Sequence, residues 1–298
     1  MNNRFDNLEC IHKQLMNDKN NLLEGYITEH LFETQFLNEK HTDGWWVAFY
    51  NNTKIFFILK NDLNILDREI IDKVSQRYDC WQVYLINSTF VFAEPSSSGL
   101  VYTEPQFNEK YDLHQIRRPM VANSDLRDEQ RQKRAIDFLG DKIEKIVVSR
   151  YFANNFLTCF FNAITNIDFF VKTGSRINVM EVKYKFESKN GSFGLSMSER
   201  SVFKDLAELD FQIYYFILYN HKREKDGILA FIKHEDKKWI CRNITQIERF
   251  RIAKSYAPCK TSIDGNTLHQ YIEISYNKNA WKTIDFGKPA RLLTLLKK

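Results

Sequence analysis

Asn166-Ile167-Asp168-Phe169-Phe170-Val171-Lys172-Thr173-Gly174-Ser175-Arg176-Ile177-Asn178-Val179-Met180-Glu181-Val182-Lys183 consists of two β-rich apolar runs around a short polar turn. Gly174 stands at the first position of a two-residue hairpin loop, where φ must be positive. With Gly174-Ser175 as that loop, Thr173 faces Arg176, Asp168 faces Glu181 and Asn166 faces Lys183. Residues two apart share a strand face, so Asn166, Asp168, Glu181 and Lys183 converge on one patch. Ile167, Phe169, Met180 and Val182 form an apolar set on the other. Directly opposed carboxylates have Cβ atoms only about 5 Å apart and repel. A cation, the neighbouring Lys183, or a raised pKa on one acid must offset that repulsion. Oxygen-only ligands suit Mg²⁺ or Mn²⁺. A metal beside a lysine suits phosphodiester hydrolysis: the metal polarises the phosphate and acidifies a water, and the ammonium stabilises developing negative charge.

Working outward, the periodicity predicts an amphipathic helix over 128–156, with Ile136, Leu139, Ile143, Ile146, Val147 and Tyr151 on one face. Strands are predicted over 158–163, 164–172 and 177–186. Ser196-Met197-Ser198-Glu199 is a capping-box signature ahead of a helix. The run 211–219 suits a strand buried on both faces, and 228–233 with 239–242 suits a further hairpin. Before this, helical spacing runs through 5–15 and 23–36, a hairpin through 45–50 and 54–59, a helix near 65–74, and two strands through 81–86 and 89–93. Residues 94–109, with Pro95-Ser96-Ser97-Ser98-Gly99 and Pro105, form the best linker candidate.

Ile167-Asp168, then Glu181-Val182-Lys183 after a short hairpin, with a helix before and a helix–strand after, resembles the PD-(D/E)XK nuclease superfamily over roughly residues 130–220. Ile167 replaces the motif's proline. The resemblance implies that Asp168 and Glu181 are metal ligands, that the Val182 carbonyl is a further ligand and that Lys183 is the catalytic lysine. It also implies an acid on the preceding helix, for which Glu144 is the candidate and Asp141 the weaker choice. The expected fold is mixed α/β: a restriction-endonuclease-like core with a central mixed sheet flanked by helices, plus an N-terminal α+β accessory domain. Residues 1–94 are assigned to that accessory domain, 95–127 to a linker and 128–298 to the nuclease domain with a basic C-terminal extension. In the N-terminal region the helix–hairpin order vaguely echoes the second half, and Lys60 ends an apolar strand as Lys183 nearly does, without a carboxylate pair. A recognition, regulatory or dimerisation domain is the first reading there, and a degenerate duplicate of the core the second.

Composition narrows the class. Of 298 residues, 43% are hydrophobic and 27% charged, with only 10 Gly and 5 Pro, which excludes collagen-like and low-complexity chains. The mean hydropathy is -0.46, and no apolar run approaches the roughly 18 residues of a membrane span. The start of the chain lacks the apolar core of a signal peptide. Five scattered cysteines without a CxxC pair point to a reducing, cytoplasmic setting. Seven dispersed histidines form no zinc-site spacing. Neither a phosphate loop, a dinucleotide fingerprint nor a serine-nucleophile elbow is present.

The formal charge of +5 conceals an asymmetry. Residues 237–298 hold 13 Lys/Arg against four acids, a balance of +9, which leaves -4 for the first 236 residues. A concentrated basic segment favours a polyanion. Arg242, Arg249, Arg251, Lys254, Lys278 and Lys282, interleaved with aromatics, are the nucleic-acid-binding candidates. Arg117, Arg118, Arg127, Arg131, Lys133 and Arg134 form a second stretch. The expected activity is Mg²⁺-dependent endonucleolytic hydrolysis of DNA, with RNA open as a substrate, Mn²⁺ able to substitute, and a homodimer to cut both strands. A restriction or genome-defence role follows from fold analogy alone. The alternative is a non-catalytic nucleic-acid-binding or assembly protein on a degenerate nuclease fold.

Overall fold

The computed structural model describes residues 21–37, 40–87, 89–95, 99–118, 129–222, 227–255, 269–287 and 296. The helical spacing at 5–15, Arg127 and residues 119–127 of the linker lie outside the described residues, and the Arg131 side chain is likewise not described.

The first half runs through helix α1 (Asn21–Phe36), strand β1 (His41–Thr42), hairpin β2 (Trp45–Tyr50) and β3 (Thr53–Leu59), and helix α2 (Ile65–Val74). Strands β4 (Asp79–Ile86), β5 (Thr89–Ala93) and β6 (Val101–Thr103) follow, then helix α3 (Glu104–Lys110). The second half holds helices α4 (Glu129–Leu139) and α5 (Lys142–Phe152), strand β7 (Ala163–Ile167), hairpin β8 (Phe169–Thr173) and β9 (Arg176–Lys185), β10 (Ser192–Ser196) and helix α6 (Met197–Glu208). It closes with β11 (Gln212–Tyr219), helix α7 (Ile228–Phe231), β12 (Lys238–Asn243), β13 (Arg251–Ser255), β14 (His269–Ser275) and β15 (Lys282–Asp285). The fold is mixed α/β.

Two six-stranded sheets share one plan. Their orders are β6-β5-β4-β3-β2-β7 and β15-β12-β11-β9-β8-β1. In each, an antiparallel hairpin (β2–β3 or β8–β9) is followed by a crossover helix (α2 or α6) and a strand parallel to the hairpin's second arm. Both crossover helices open with a capping box, Asn64 with Asp67 and Ser196 with Glu199. A three-stranded sheet, β10-β14-β13, flanks the second plan.

The halves exchange their leading elements. Strand β1 precedes the first hairpin yet pairs with β8, His41 to Val171 and Thr42 to Phe170. Strand β7 precedes the second hairpin yet pairs with β2, from Trp45–Ile167 to Phe49–Ala163. Each helix follows its strand. Leu23, Ile27, Phe32 and Phe36 of α1 bury against Phe169, Met180, Val182 and Trp239 of the second sheet. Phe152 and Phe156 bury with Phe57 and Phe92 of the first. A third core lies between the sheets, joining Trp45, Phe56 and Ile70 to Phe170, Val202 and Tyr215. Ion pairs across the halves, Lys54–Asp205 at 2.6 Å and Lys172–Glu69 at 2.5 Å, border it.

This interlock corrects the division at 94 and 128. Residues of 1–94 supply an edge strand and a covering helix to the second sheet, so they are not a separate accessory domain. The expected linker contains β6 and α3, whose Phe107 is fully buried. The helix predicted over 128–156 is broken at Gly140, which takes a positive φ of 51°, as helix C-termini commonly do. The strand predicted at 158–163 is instead helical at its start, where α5 runs through a π-turn (Ala153–Leu157) into Thr158–Phe160. The run 228–233 begins as α7 rather than a strand, because a buried apolar run this short carries no period to separate the two.

Candidate active site

Asp168 sits at the parting of the two sheets, between β7 in one and β8 in the other. The hairpin register is the one Gly174 dictates: Thr173 pairs Arg176 and Phe169 pairs Met180, with Gly174 at φ 63°. One step further, the ladder ends. Antiparallel ladders alternate hydrogen-bonded and open pairs, and the next bonded partner of Val182 would be Ile167, but that residue has left to pair with Trp45. Asp168 fills the gap: its Oδ2 accepts the Val182 amide at 2.7 Å. Its Oδ1 accepts from Asn166 Nδ2 at 2.8 Å. The expected pairing of Asn166 with Lys183 is therefore replaced, since Asn166 pairs Trp46 and reaches the site through Asp168.

Asp168 and Glu181 are 3% and 1% exposed. Lys183 is in ion-pair contact with Glu181 Oε1 and lies 3.9 Å from Asp168 Oδ2. Both Glu181 oxygens are buried, with Lys183 and Glu199 as their polar neighbours. Burial, joined by the charge of Asp168, raises the Glu181 pKa well above its usual range. Burial also raises Asp168, opposed by Lys183 and by the Val182 amide. For Lys183 burial acts downward, but Asp168, Glu181 and Glu199 hold the ammonium well above its ordinary value.

Two further acids belong to the cluster. Glu199, quoted above only as a capping residue, accepts the Ser196 amide at 2.5 Å through one oxygen and presents the other 3.7 Å from Lys183 Nζ. Burial opposes its ionisation, yet Lys183, Lys185 and the Ser196 amide lower it to about 2. Glu29, half-buried on α1, feels Asp168 and Lys183 directly, and burial with the Asp168 charge raises it well above normal. Glu144 does not join this group. It is exposed on the first turn of α5, and the helical acid facing Asp168 is Glu29. Asp141, the weaker choice, is likewise exposed. The exchange of leading helices explains the difference: α5, which precedes β7 in sequence, covers the other sheet.

A cleft of about 110 Å³ opens beside Asp168, lined by Tyr26, Glu29, Asp43, Lys145 and Asn166 among others. Lys145 pairs with Asp43, and Lys142 with Glu33 at 2.6 Å.

The donors are all oxygen, and the buried Glu181 carboxylate is set against Asp168 and Glu199 with Lys183 in contact. That chemistry fits a hard divalent cation, which binds one or two carboxylates and keeps several waters. Among the described residues no three His, Cys, Asp or Glu side chains stand as a ready-made ligand group; Lys183 is the cation that the carboxylates gather.

The basic candidates do not form one patch. Arg242 is half-buried, stacked over Phe250 at 4.8 Å and donating to the Ser275 carbonyl at 3.0 Å. Burial lowers its pKa, so it packs the fold. Lys282 is half-buried in β15. Arg249, Arg251, Lys254 and Lys278 are exposed, with Arg251 and Lys254 on opposite faces of β13. Arg117, Arg118, Lys133 and Arg134 of the second stretch are exposed.

Sequence periodicity marks α1 as a helix but says nothing of what Glu29 faces. Glu199 carried a signal, its fixed place in a capping box, whose second role depends on where β9 lies. The chain has no significant match among protein-family models, curated proteins or solved structures.

Proposed function

We propose that the chain is a Mg²⁺-dependent endonuclease with a PD-(D/E)XK-like, restriction-endonuclease-like core, hydrolysing DNA phosphodiester bonds. One observation carries this reading: Asp168, Glu181 and Lys183 close on one another where the β8–β9 ladder ends. The topology supports it, since α1, β1, β8, β9, α6 and β11 form a helix, three antiparallel strands, a crossover helix and a strand parallel to the third. Asp168 and Glu181, with the Val182 carbonyl, are the residues that hold Mg²⁺ or Mn²⁺. When bound, the cation polarises a phosphate oxygen and lowers the pKa of a water. Lys183, kept protonated by its carboxylates, stabilises negative charge developing on the phosphate. Glu29, whose proton affinity is raised by burial and the Asp168 charge, is the helical carboxyl placed to exchange a proton at the site. Exposed Arg249, Arg251, Lys254 and Lys278 supply phosphate contacts. Restriction or genome defence is the setting that fold analogy suggests.

The test is cleavage of supercoiled plasmid with Mg²⁺ by the native protein and by Asp168→Ala. Metal-dependent cutting lost in the variant supports the reading. Cutting that survives Asp168→Ala overturns the site. Salt-sensitive binding of DNA and RNA without cleavage of either points to the non-catalytic alternative.

A further inference from the structure

The hairpins and exchanged edges of the two sheets are related at an offset of 123 (Thr53 to Arg176, Lys60 to Lys183). Past the hairpin the second half is longer, and the offset becomes 132 at the capped helices (Asp67 to Glu199) and 133 at the parallel strands (Asp79 to Gln212). The hairpin closures Tyr50–Thr53 and Thr173–Arg176 correspond. The first parallel pairs, Ile55–Asp79 and Asn178–Gln212, start from Ile55 and Asn178, at the hairpin offset of 123. The exchanged edges correspond as well, His41–Val171 mapping onto Ile164–Ala48 with the partners reversed. That reversal is the signature of a pseudo-twofold axis, which passes between Gly44–Trp45 and Ile167–Asp168.

The axis lays a second constellation beside the first. Lys60 occupies the place of Lys183. Asp67, third residue of the capped helix α2, occupies the place of Glu199 and meets Lys60 at 2.9 Å. The two metal-ligand positions are lost: Trp45 stands for Asp168 and Ile58 for Glu181, both in the apolar core. Where Asp168 captures the Val182 amide, the matching Leu59 amide donates to the Gly44 carbonyl at 2.9 Å, an intact ladder bond. Thr42 also bonds both Asp67 and Lys60. Among the described residues this second core has no free carboxylate for a cation, and its lysine is neutralised.

We infer that the chain is its own pseudo-dimer, one catalytic core joined to one silent copy, and that as a monomer it cuts a single strand of a duplex. The inference rests on the nuclease reading. A homodimer of single-site chains presents two centres related by a twofold axis, matching the dyad of duplex DNA; here one polypeptide supplies the axis and only one centre holds ligands. The product is a nick.

The experiment combines sedimentation of the native protein with a time course on supercoiled plasmid in Mg²⁺. The expected result is a monomer whose first product is nicked circle, linear DNA appearing only later by independent second nicks. A Lys60→Met/Asp67→Asn variant, which removes both charges of the silent core together, is expected to nick within about twofold of the native rate. Linear product from the outset, cleavage only by a dimer, or loss of nicking in a folded Lys60→Met/Asp67→Asn protein overturns the inference and leaves the nuclease reading standing. Absence of metal-dependent cleavage by the native protein overturns both.

Discussion

The Val182 amide is held by the Asp168 carboxylate at 2.7 Å, just past Met180, where β9 loses its β8 neighbour. Asp168 therefore has two tasks, closing a strand and presenting charge. Asp168→Ala removes both, and the buried amide left without an acceptor costs about 1–3 kcal/mol. Asp168→Asn keeps an acceptor and loses the charge. The expected outcome is loss of cleavage in both variants but a lower denaturation midpoint chiefly in Asp168→Ala, read by urea titration beside the plasmid assay.

Glu181 stores repulsion. Its folded pKa is raised, so the folded state binds more protons than the unfolded state once pH passes the ordinary carboxylate value of about 4.3. Stability then falls as pH rises through the window from that value up to the folded one. Glu181→Gln in EDTA is expected to melt higher than the native protein at neutral pH, by roughly 2–4 °C for each kcal/mol relieved in a chain of this size. Adding Mg²⁺ is expected to raise the melting temperature of the native protein and not of the variant. An equal rise in both rejects Glu181 as a ligand.

Glu29 and Glu144 separate the observed site from the one read along the chain. Glu29→Gln is expected to lower the cleavage rate by about 10²-fold or more, the scale of a lost acid–base group, with the fold retained. Glu144→Gln, on an exposed surface, is expected to leave rate and melting temperature unchanged. The reverse pattern returns the helical acid to α5.

The hairpin is legible from Thr173–Arg176 to Phe169–Met180 because its determinants are local: Gly174 sets the turn and alternation sets the faces. The expected Asp168–Glu181 and Asn166–Lys183 pairs are not in that ladder, and the site closes instead through the Asp168–Val182 bond and the Lys183 contacts. The parting of the chain at Asp168 is not legible, because Asn166 and Asp168 are the only weak strand formers in the run from Ile164 to Val171 and the division depends on which distant strand pairs with each part. Glu29 was invisible for the same reason. Its helix has helical spacing whichever sheet it covers, and only the exchange of β1 and β7 brings it to Asp168. Lys60 stands in the sequence as a lysine ending an apolar strand, but its equivalence to Lys183 needs the paired registers that sequence spacing alone does not supply.

Glu33 anchors the helix that carries Glu29. It is bonded to Lys142 at 2.6 Å and lies 3.4 Å from His41. The His41 hydrogen bond is the foremost cause of its lowering, with burial opposing and Lys142 adding to it, for a folded value of about 2. A depressed carboxylate stabilises above its unfolded pKa and loses that contribution as pH falls through the folded value. Glu33→Gln is expected to cost about 1 kcal/mol at neutral pH, discounted for partial exposure. The difference from native protein should shrink as pH falls from about 5 towards 2 and vanish below it. A difference independent of pH assigns the cost to packing rather than charge.

Exchange of the leading elements makes a strong statement about fragments. Residues 128–298 expressed alone lack α1 and β1, so Phe169, Met180, Val182 and Trp239 lose the cover of Leu23, Ile27, Leu31, Phe32 and Phe36. Each of those five side chains contributes about 1.5–3 kcal/mol on burial, and the sum is comparable to the whole stability of an ordinary domain, about 5–15 kcal/mol. The fragment is expected to lack a cooperative melt and to expose apolar surface, detected by dye binding. Residues 1–127 alone should fare no better, since β2 loses β7 and the Phe57–Phe92 core loses Phe152 and Phe156. Co-expression of the two fragments should recover a soluble complex with the native melting profile. A fragment 128–298 that melts cooperatively by itself rejects the interlock and restores the boundary near residue 128.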